Sequence, residues 1–223
     1  MANRWLSIGS LVALLAAAGP VSAQTQGAPA AAPPEPKAAA PAKESNLTLY
    51  GGYRFSSGLS TDNGGSWELT EGPSWAVAAD FGIDSKTQWE LLVSYRNSSL
   101  KASGFSPVAP FSDKINLGVT YYHVGGTYFV DGIGKGVYVV GGLGATHFDP
   151  GGDLSSELRF SLNLGVGYMI PLGKTLAVKL EGRGYVTLIN SSGGFLCSGG
   201  CVVQVKGDTL TQGEVLAGLA YRF

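Results

Sequence analysis

The sequence is poor in charged residues. Only 14% of its 223 residues are Asp, Glu, Lys or Arg, whereas soluble domains carry about 25%. The formal net charge is −1, which gives no electrostatic case for binding nucleic acid. Two cysteines cannot make a disulfide-rich scaffold. No metal-ligand cluster and no Gly-rich phosphate loop between a strand and a helix is found, so we expect neither a metal nor a cofactor.

The sequence also lacks an apolar run long enough for a transmembrane helix. The run from Trp5 to Ala18 is shorter than the roughly 20 residues that a spanning helix needs. It follows Arg4 and precedes the small residues Val21-Ser22-Ala23, a pattern typical of a cleaved export signal. We therefore predict a signal peptide over 1–23. A Pro/Ala-rich, disordered periplasmic linker is predicted over 24–45.

Glycine is abundant, with 34 residues, and from residue 46 onward apolar and polar residues alternate. The alternation defines eight segments, which cover 47–55, 75–83, 88–96, 114–122, 137–146, 157–170, 176–188 and 214–223. One face of each segment carries no charge. The other face is rich in Gly, Ala, Ser, Asn and Tyr, which suits the crowded interior of a small closed barrel. In the fourth segment the pattern predicts Ile115, Leu117, Val119 and Tyr121 outside, with Lys114 and Tyr122 inside; the register beyond Tyr122 stays open.

The connectors and aromatic residues support the same architecture. Short connectors follow the second, fourth and sixth segments, and longer ones follow the others, as in bacterial outer-membrane barrels. None of the five prolines after the linker lies inside a segment, as a sheet without a free edge requires. Aromatic residues stand near segment ends, where interfacial girdles would place them: Phe55, Trp75, Trp89, Tyr95, Tyr168, Tyr221 and Phe223.

The C-terminal residues Leu219-Ala220-Tyr221-Arg222-Phe223 resemble the assembly signal that ends Gram-negative outer-membrane barrels. With the export signal and eight segments, the chain resembles the small outer-membrane barrels typified by the OmpA barrel domain, OmpX, the Opa and Ail adhesins, and OmpW. The resemblance implies an eight-stranded antiparallel transmembrane β-barrel over 46–223 in a bacterial outer membrane. It also implies contact with membrane lipids and lipopolysaccharide, and recognition of Leu219, Tyr221 and Phe223 by the barrel-assembly machinery.

Charged residues on the inward faces are the first candidate site. Isolated charges in a narrow lumen are costly, so we expect them to pair across strands. The main predicted network is Arg54, Asp80, Glu90, Arg96, Lys179, Glu181, Arg183 and Glu214. The inward parity also includes Lys114, Glu157, Arg159 and Arg222, the last two expected near the rims. Two interpretations stay open: a salt-bridged plug, or a narrow gated pore or small-solute site.

Three further features lie in or near the predicted outer loops. Cys197 and Cys201 are expected to form a local disulfide in an exported protein. Apolar loop residues such as Phe105, Phe111 and Phe195 predict either a ligand-binding surface or a packed cap. His147 lies close in sequence to Ser155 and Ser156, and some eight-stranded barrels, such as the lipid A deacylase PagL, are lipid-modifying enzymes. That enzyme's motif is absent here, so we expect no enzymatic activity.

The sequence thus predicts an integral outer-membrane barrel with a packed polar lumen and a structural or surface-interaction role. A narrow OmpW-like channel for small solutes is the main alternative, and a lipid A-modifying enzyme is a remote one. An adhesin would bind an extracellular ligand through its loops.

Overall fold

The alternating segments form strands in the computed structural model. The structure describes residues 44–56, 59–60, 66–103, 114–151, 155–189, 195–197, 201–203 and 209–223. The predicted signal peptide and nearly all of the predicted linker, residues 1–43, lie outside these ranges. Within the described ranges, no helix is long and apolar enough to cross a bilayer.

Eight long strands carry the fold, and four short strands lie in the connections. The long strands are β1 (Asn46–Ser56), β4 (Gly72–Gly82), β5 (Thr87–Ser103), β6 (Lys114–Phe129), β7 (Gly136–Pro150), β8 (Glu157–Pro171), β9 (Leu176–Leu188) and β12 (Thr209–Arg222). The short ones are β2 (Leu59–Ser60), β3 (Ser66–Leu69), β10 (Phe195–Cys197) and β11 (Cys201–Val203). Each long strand pairs with its neighbours in an antiparallel sense, and β1 closes the sheet on β12. The prediction of an eight-stranded antiparallel barrel of the outer-membrane type is confirmed.

The register of the strands sets the width of the barrel. A path from Asn46 through successive paired residues returns to β1 at Ser56, ten residues further along. With eight strands, this stagger corresponds to a strand tilt of about 40° and a backbone radius of about 8 Å. The lumen is therefore only wide enough for side chains. The path passes Asp80, Glu90, Gly125, Gly142, Asn163, Tyr185 and Gln212.

Three short turns lie at the end of the barrel where β1 begins and β12 ends. They connect β4 to β5, β6 to β7 and β8 to β9. In the first turn, the carboxylate of Asp84 accepts hydrogen bonds from the N–H groups of Lys86 and Thr87 at 2.7 and 2.8 Å. These bonds hold the pKa of Asp84 below its usual value. The longer connections emerge from the opposite end, which we call the loop end.

Strand β6 differs from its prediction in both length and orientation. It continues through residue 129, and Tyr121 is fully buried in the lumen, whereas Tyr122 is 48% exposed on the outside. The predicted outward orientation of Ile115, Leu117, Val119 and Tyr121 was therefore wrong, as was the predicted inward orientation of Tyr122. The side chain of Lys114 lies outside the described part of the structure. In the other seven long strands, the predicted outward residues do face outward.

Two apolar clusters lie inside the barrel, one near each end. The larger cluster is at the loop end and includes Leu100, Leu117, Val119, Phe148, Ile189 and Leu210. The smaller cluster is at the turn end and comprises Phe129, Tyr138, Val140, Met169, Ala177 and Ala220, with Ile133 packed against it. The larger cluster also extends to Tyr50 and Leu92 in the middle of the barrel. Buried polar side chains lie beside both clusters, including Asn46, Thr48 and Gln88 at the turn end.

Candidate functional site in the barrel lumen

Arg183 lies at the centre of the polar lumen. Its Nη1 and Nη2 atoms donate to the two carboxylate oxygens of Glu90 at 2.8 and 3.1 Å, a bidentate pair. Its Nε donates to Glu181 at 2.6 Å, and its Nη1 also reaches the side-chain oxygen of Asn163 at 3.3 Å. One guanidinium therefore neutralises carboxylates from two strands, β5 and β9. Such charge-assisted, bidentate bonds fix side-chain geometry strongly.

Tyrosine hydroxyls complete the shell of this cluster. Tyr138 donates to Glu181 at 2.9 Å, and the hydroxyl of Tyr50 lies 3.5 Å from the same oxygen. Towards the turn end, Lys179 pairs with Asp80 at 3.0 Å. The ammonium group also lies 5.1 Å from the ring centre of Tyr138, within the range of a cation–π contact.

A second ion-paired cluster lies closer to the loop end. Arg54 donates its Nε to Glu214 at 3.0 Å, and its guanidinium lies 4.8 Å from the ring centre of Tyr121. Ser94 lies 3.2 Å from both oxygens of Glu214. Tyr185 donates to the same carboxylate at 2.7 Å. The sequence predicted that Arg54 and Glu214 both face the lumen, and their backbones are direct partners in the register of β1 and β12.

Arg96 differs from the other predicted lumen charges. It donates to the backbone carbonyl of Arg54 at 3.2 Å and to that of Thr70. No carboxylate of the described chain lies in ion-pair distance of it. All eight predicted network residues are nonetheless at most 5% exposed. The structure brings seven of them into three groups: Arg54 with Glu214, Lys179 with Asp80, and Arg183 with Glu90 and Glu181.

Sequence reasoning missed an aromatic stack beside these charges. The rings of Tyr121 and Tyr185 are parallel within 13°, with centroids 4.1 Å apart, and His123 stacks against both rings. The Nε2 of His123 lies 2.9 Å from the hydroxyl of Ser161. The sequence of the turn-side half of β6 could have revealed this orientation, because the polar residues His123 and Thr127 lie on the same face of the strand as Tyr121. Counting from that half would have placed Tyr121 inside.

Apolar side chains pack inside the barrel towards both of its ends. Leu100, Leu117 and Leu210 are fully buried near the loop end, as are Phe129 and Met169 near the turn end. Around the loop-side apolar residues, the outward positions are polar and exposed, for example Asn97, Asn116 and Asp149. The strands thus reverse their pattern beyond the central band.

The outer wall carries large apolar side chains bounded by two aromatic rings. The ring at the turn end contains Phe81, Trp89, Tyr128, Tyr168, Tyr221 and Phe223, and the loop-side ring contains Tyr53, Phe55, Trp75, Tyr95, Tyr122 and Phe160. On single strands the rings are six to eight residues apart, which is about 15–20 Å along the axis at ~3.3 Å per residue and ~40° tilt. This arrangement fits an apolar band with flanking girdles.

The remaining predicted site residues lie at the ends of the barrel or in the connections. Arg159 pairs with Glu157, both partly exposed, and Arg222 pairs with Glu44 at 2.8 Å. Leu219, Tyr221 and Phe223 face outward and are at least half exposed. Phe105 and Phe111 lie outside the described residues. Among the described residues, no hydrogen bond joins His147 to Ser155 or Ser156, and no three His, Cys, Asp or Glu residues form a metal site.

Comparison with solved structures finds the same fold in other barrels. Outer membrane protein AlkL, determined by solid-state NMR in DMPC lipid bilayers, matches with a TM-score of 0.53 at 14% identity, over 81% of this chain and 90% of that one. OprG of Pseudomonas aeruginosa matches with a TM-score of 0.48 at 13% identity, over 81% and 97% of the two chains. Ail of Yersinia pestis matches with 0.42 at 19% identity, over 81% and 99%. No protein-family model matches, and no curated protein does.

Proposed function

We propose that the chain is an integral protein of a bacterial outer membrane, with a closed lumen and a structural or surface-interaction role. The observation that carries the proposal is the lumen itself, in which seven charged side chains form ion pairs and apolar side chains pack towards both ends. AlkL, which shares the fold, is itself an outer membrane protein. The function then belongs to the outer wall and the loop end.

The outer wall supports a position in the bilayer. Side chains such as Leu49, Leu164 and Val166 are 63%, 70% and 55% exposed, and contiguous apolar surface of this kind is unfavourable in water. Lipid acyl chains are the partner that this surface fits, with aromatic girdles at the two interfaces. The polar outward residues beyond the loop-side girdle, including Asn116 and Asp149, suit the lipopolysaccharide headgroups and the exterior.

The alternative function is a narrow channel for small solutes, and the side chains that fill the lumen disfavour it. A conducting path would have to pass the Arg183 cluster, whose charges are all engaged, and then the apolar side chains of Leu117 and Leu210. Opening it means separating buried ion pairs, which costs several kcal/mol for each uncompensated charge. We therefore expect a barrel that does not conduct.

Single-channel recording in a planar bilayer tests this proposal. The refolded barrel is expected to leave the bilayer silent, with folding verified by a heat-modifiable shift in gel mobility. Reproducible discrete openings that change with Glu181→Gln or Arg183→Gln would overturn the closed lumen in favour of a channel. Arg159→Gln is the matched control, because Arg159 pairs with Glu157 at the loop-end rim and lies away from the central cluster.

We also propose a disulfide between Cys197 and Cys201 in the longest connection. The backbone register of the hairpin β10–β11 pairs these two positions directly, and an exported protein meets oxidising conditions. The expected result is that neither cysteine reacts with a maleimide until a reductant is added. Reaction of both cysteines in the untreated, folded barrel would contradict the pairing.

A further inference from the structure

Charge is unevenly distributed along the lumen. The turn-side half holds the cations Lys179 and Arg183 with three carboxylates, of Asp80, Glu90 and Glu181. The loop-side half holds two guanidiniums, of Arg54 and Arg96, and one buried carboxylate, that of Glu214. Among the described residues, the loop-side half therefore has one buried positive charge in excess, and the turn-side half has one negative charge in excess.

Among the described residues, Glu214 forms its ion pair with Arg54 and none with Arg96. It accepts from Arg54, Ser94 and Tyr185, and these donors engage both of its oxygens. Glu71 is the other carboxylate that interacts electrostatically with Arg96. Glu71 is exposed, however, and makes no ion pair with Arg96 within the described chain. Arg96 is 3% exposed. A buried guanidinium held only by carbonyl groups lacks the counter-charge that burial normally demands.

Three buried donors around Arg96 have no hydrogen-bond partner. They are the Nε of Arg96, the Nη1 of Arg54 and the hydroxyl of Ser74. Their residues are neighbours in the barrel wall. Ser74 is paired with Gly52, two residues before Arg54. Ser74 directly precedes Trp75, whose partner Tyr95 directly precedes Arg96. The Nη1 of Arg96 in turn donates to the carbonyl of Arg54.

We propose that this corner of the lumen, formed by Arg54, Ser74 and Arg96, binds a small monovalent inorganic anion of the halide class. One negative charge balances the excess in this half of the lumen. A halide accepts several hydrogen bonds from different directions, which matches two guanidinium N–H groups and one hydroxyl. The ion must be small, because all three side chains are at least nine-tenths buried and the lumen is narrow.

Bromide is the probe for this site, because its anomalous scattering locates it directly. Crystals of the refolded barrel grown with sodium bromide as the halide are expected to show an anomalous peak in contact with Arg96 and Arg54. The Arg96→Gln variant is expected to lose that peak, whereas Arg159→Gln at the rim keeps it. A folded wild-type barrel with no peak at this corner, or a peak that persists in Arg96→Gln, would overturn the proposal.

Thermal unfolding in detergent gives a second readout in solution. Gluconate is too bulky for the site and serves as the reference anion. At constant ionic strength, we expect the unfolding midpoint of the wild type to rise when bromide replaces gluconate. The rise is expected to vanish in Arg96→Gln and to persist in Arg159→Gln. If Arg96→Gln fails to fold, Arg96→Lys retains the charge but lacks the Nε donor, and it must show a weaker response. Equal responses in the wild type and in all folded variants would contradict the site. Neither readout depends on whether the barrel conducts.

Discussion

At the scale of the single residue, Arg183 matters most in the lumen because two carboxylates depend on it. Within the described ranges, Glu90 forms an ion pair with this guanidinium alone, and Glu181 pairs with it as well. Both carboxylates are at most 5% exposed. Removing the guanidinium leaves two buried negative charges facing each other without a counter-ion, and buried charges of this kind are strongly destabilising.

We therefore expect Arg183→Met to lower the free energy of unfolding by about 3–5 kcal/mol. Urea titration of the folded barrel in phospholipid vesicles, followed by tryptophan fluorescence, measures this loss. The triple variant Arg183→Met, Glu90→Gln, Glu181→Gln should recover most of it, because it removes the charges together. Arg159→Met is the control and should lose about 1 kcal/mol or less, since its ion pair is partly solvated. A loss in the triple variant as large as in the single one would contradict this account.

At the scale of the element, β6 shows how one strand can serve two environments. In its turn-side half the outward residues Tyr122, Val124 and Tyr128 are apolar and the inward residues His123 and Thr127 are polar. In its loop-side half the pattern is reversed, with the apolar residues pointing into the lumen. The strand keeps its period of two. In the proposed membrane position, lipid lies outside the turn-side half and water outside the loop-side half, which accounts for the reversal.

Substitution of the tyrosine doublet in β6 tests this orientation. Tyr121→Ala removes a buried ring that stacks on Tyr185 and bonds to Gln212, so we expect a loss of about 3–5 kcal/mol in the free energy of unfolding. Tyr122→Ala removes a ring that is half exposed on the outer wall, and the expected loss is smaller. Urea unfolding of the two variants in the same vesicles gives the comparison. A larger loss for Tyr122→Ala than for Tyr121→Ala would instead support the orientation predicted from the sequence, with Tyr122 inside and Tyr121 outside.

The terminal strand β12 provides a second test at this scale. Phe223 is 66% exposed on the outer wall, and its backbone N–H donates to the carbonyl of Ser45 at 2.9 Å. Phe223→Ala keeps this backbone bond, so any defect reflects the side chain. If the assembly machinery reads this ring, the variant accumulates at lower levels in the outer membrane than the wild type. Phe81→Ala, which removes an outward ring of the same turn-side girdle, is the control and should accumulate normally.

Most of the fold could be predicted because alternate residues of a barrel strand face opposite sides of its wall, and the two sides require different residue types. The eight strands, the three short turns and the inward parity of Arg54, Glu90 and Arg183 all follow from that alternation. The parity of β6 could not be read from its first nine residues, because Ile115 and Leu117 pack into the loop-end cluster and resemble lipid-facing residues. The partners of each charge also could not be predicted, since they depend on the ten-residue stagger of the strands.

At the scale of the whole molecule, the central question is where the bilayer lies on the barrel. The two aromatic rings bound the outer band, and on β8 Leu164 lies four residues from both Phe160 and Tyr168. Leu164 is 70% exposed. This position therefore corresponds to the middle of the hydrocarbon layer. Leu158 is similarly exposed, at 65%, but it lies two residues beyond Phe160 on the loop side, where headgroups or water are expected.

These two leucines form a matched pair for an arginine scan. We expect Leu164→Arg to lower the free energy of unfolding by about 2–4 kcal/mol, and Leu158→Arg by about 0–1 kcal/mol, because the cost of a lipid-facing cation falls from the midplane to the interface. Reversible urea unfolding in phospholipid vesicles measures both. Equal costs would mean that the aromatic rings do not mark the interfaces. No cost at either position would mean that the outer wall does not face lipid, and the proposed outer-membrane location would lose its physical basis.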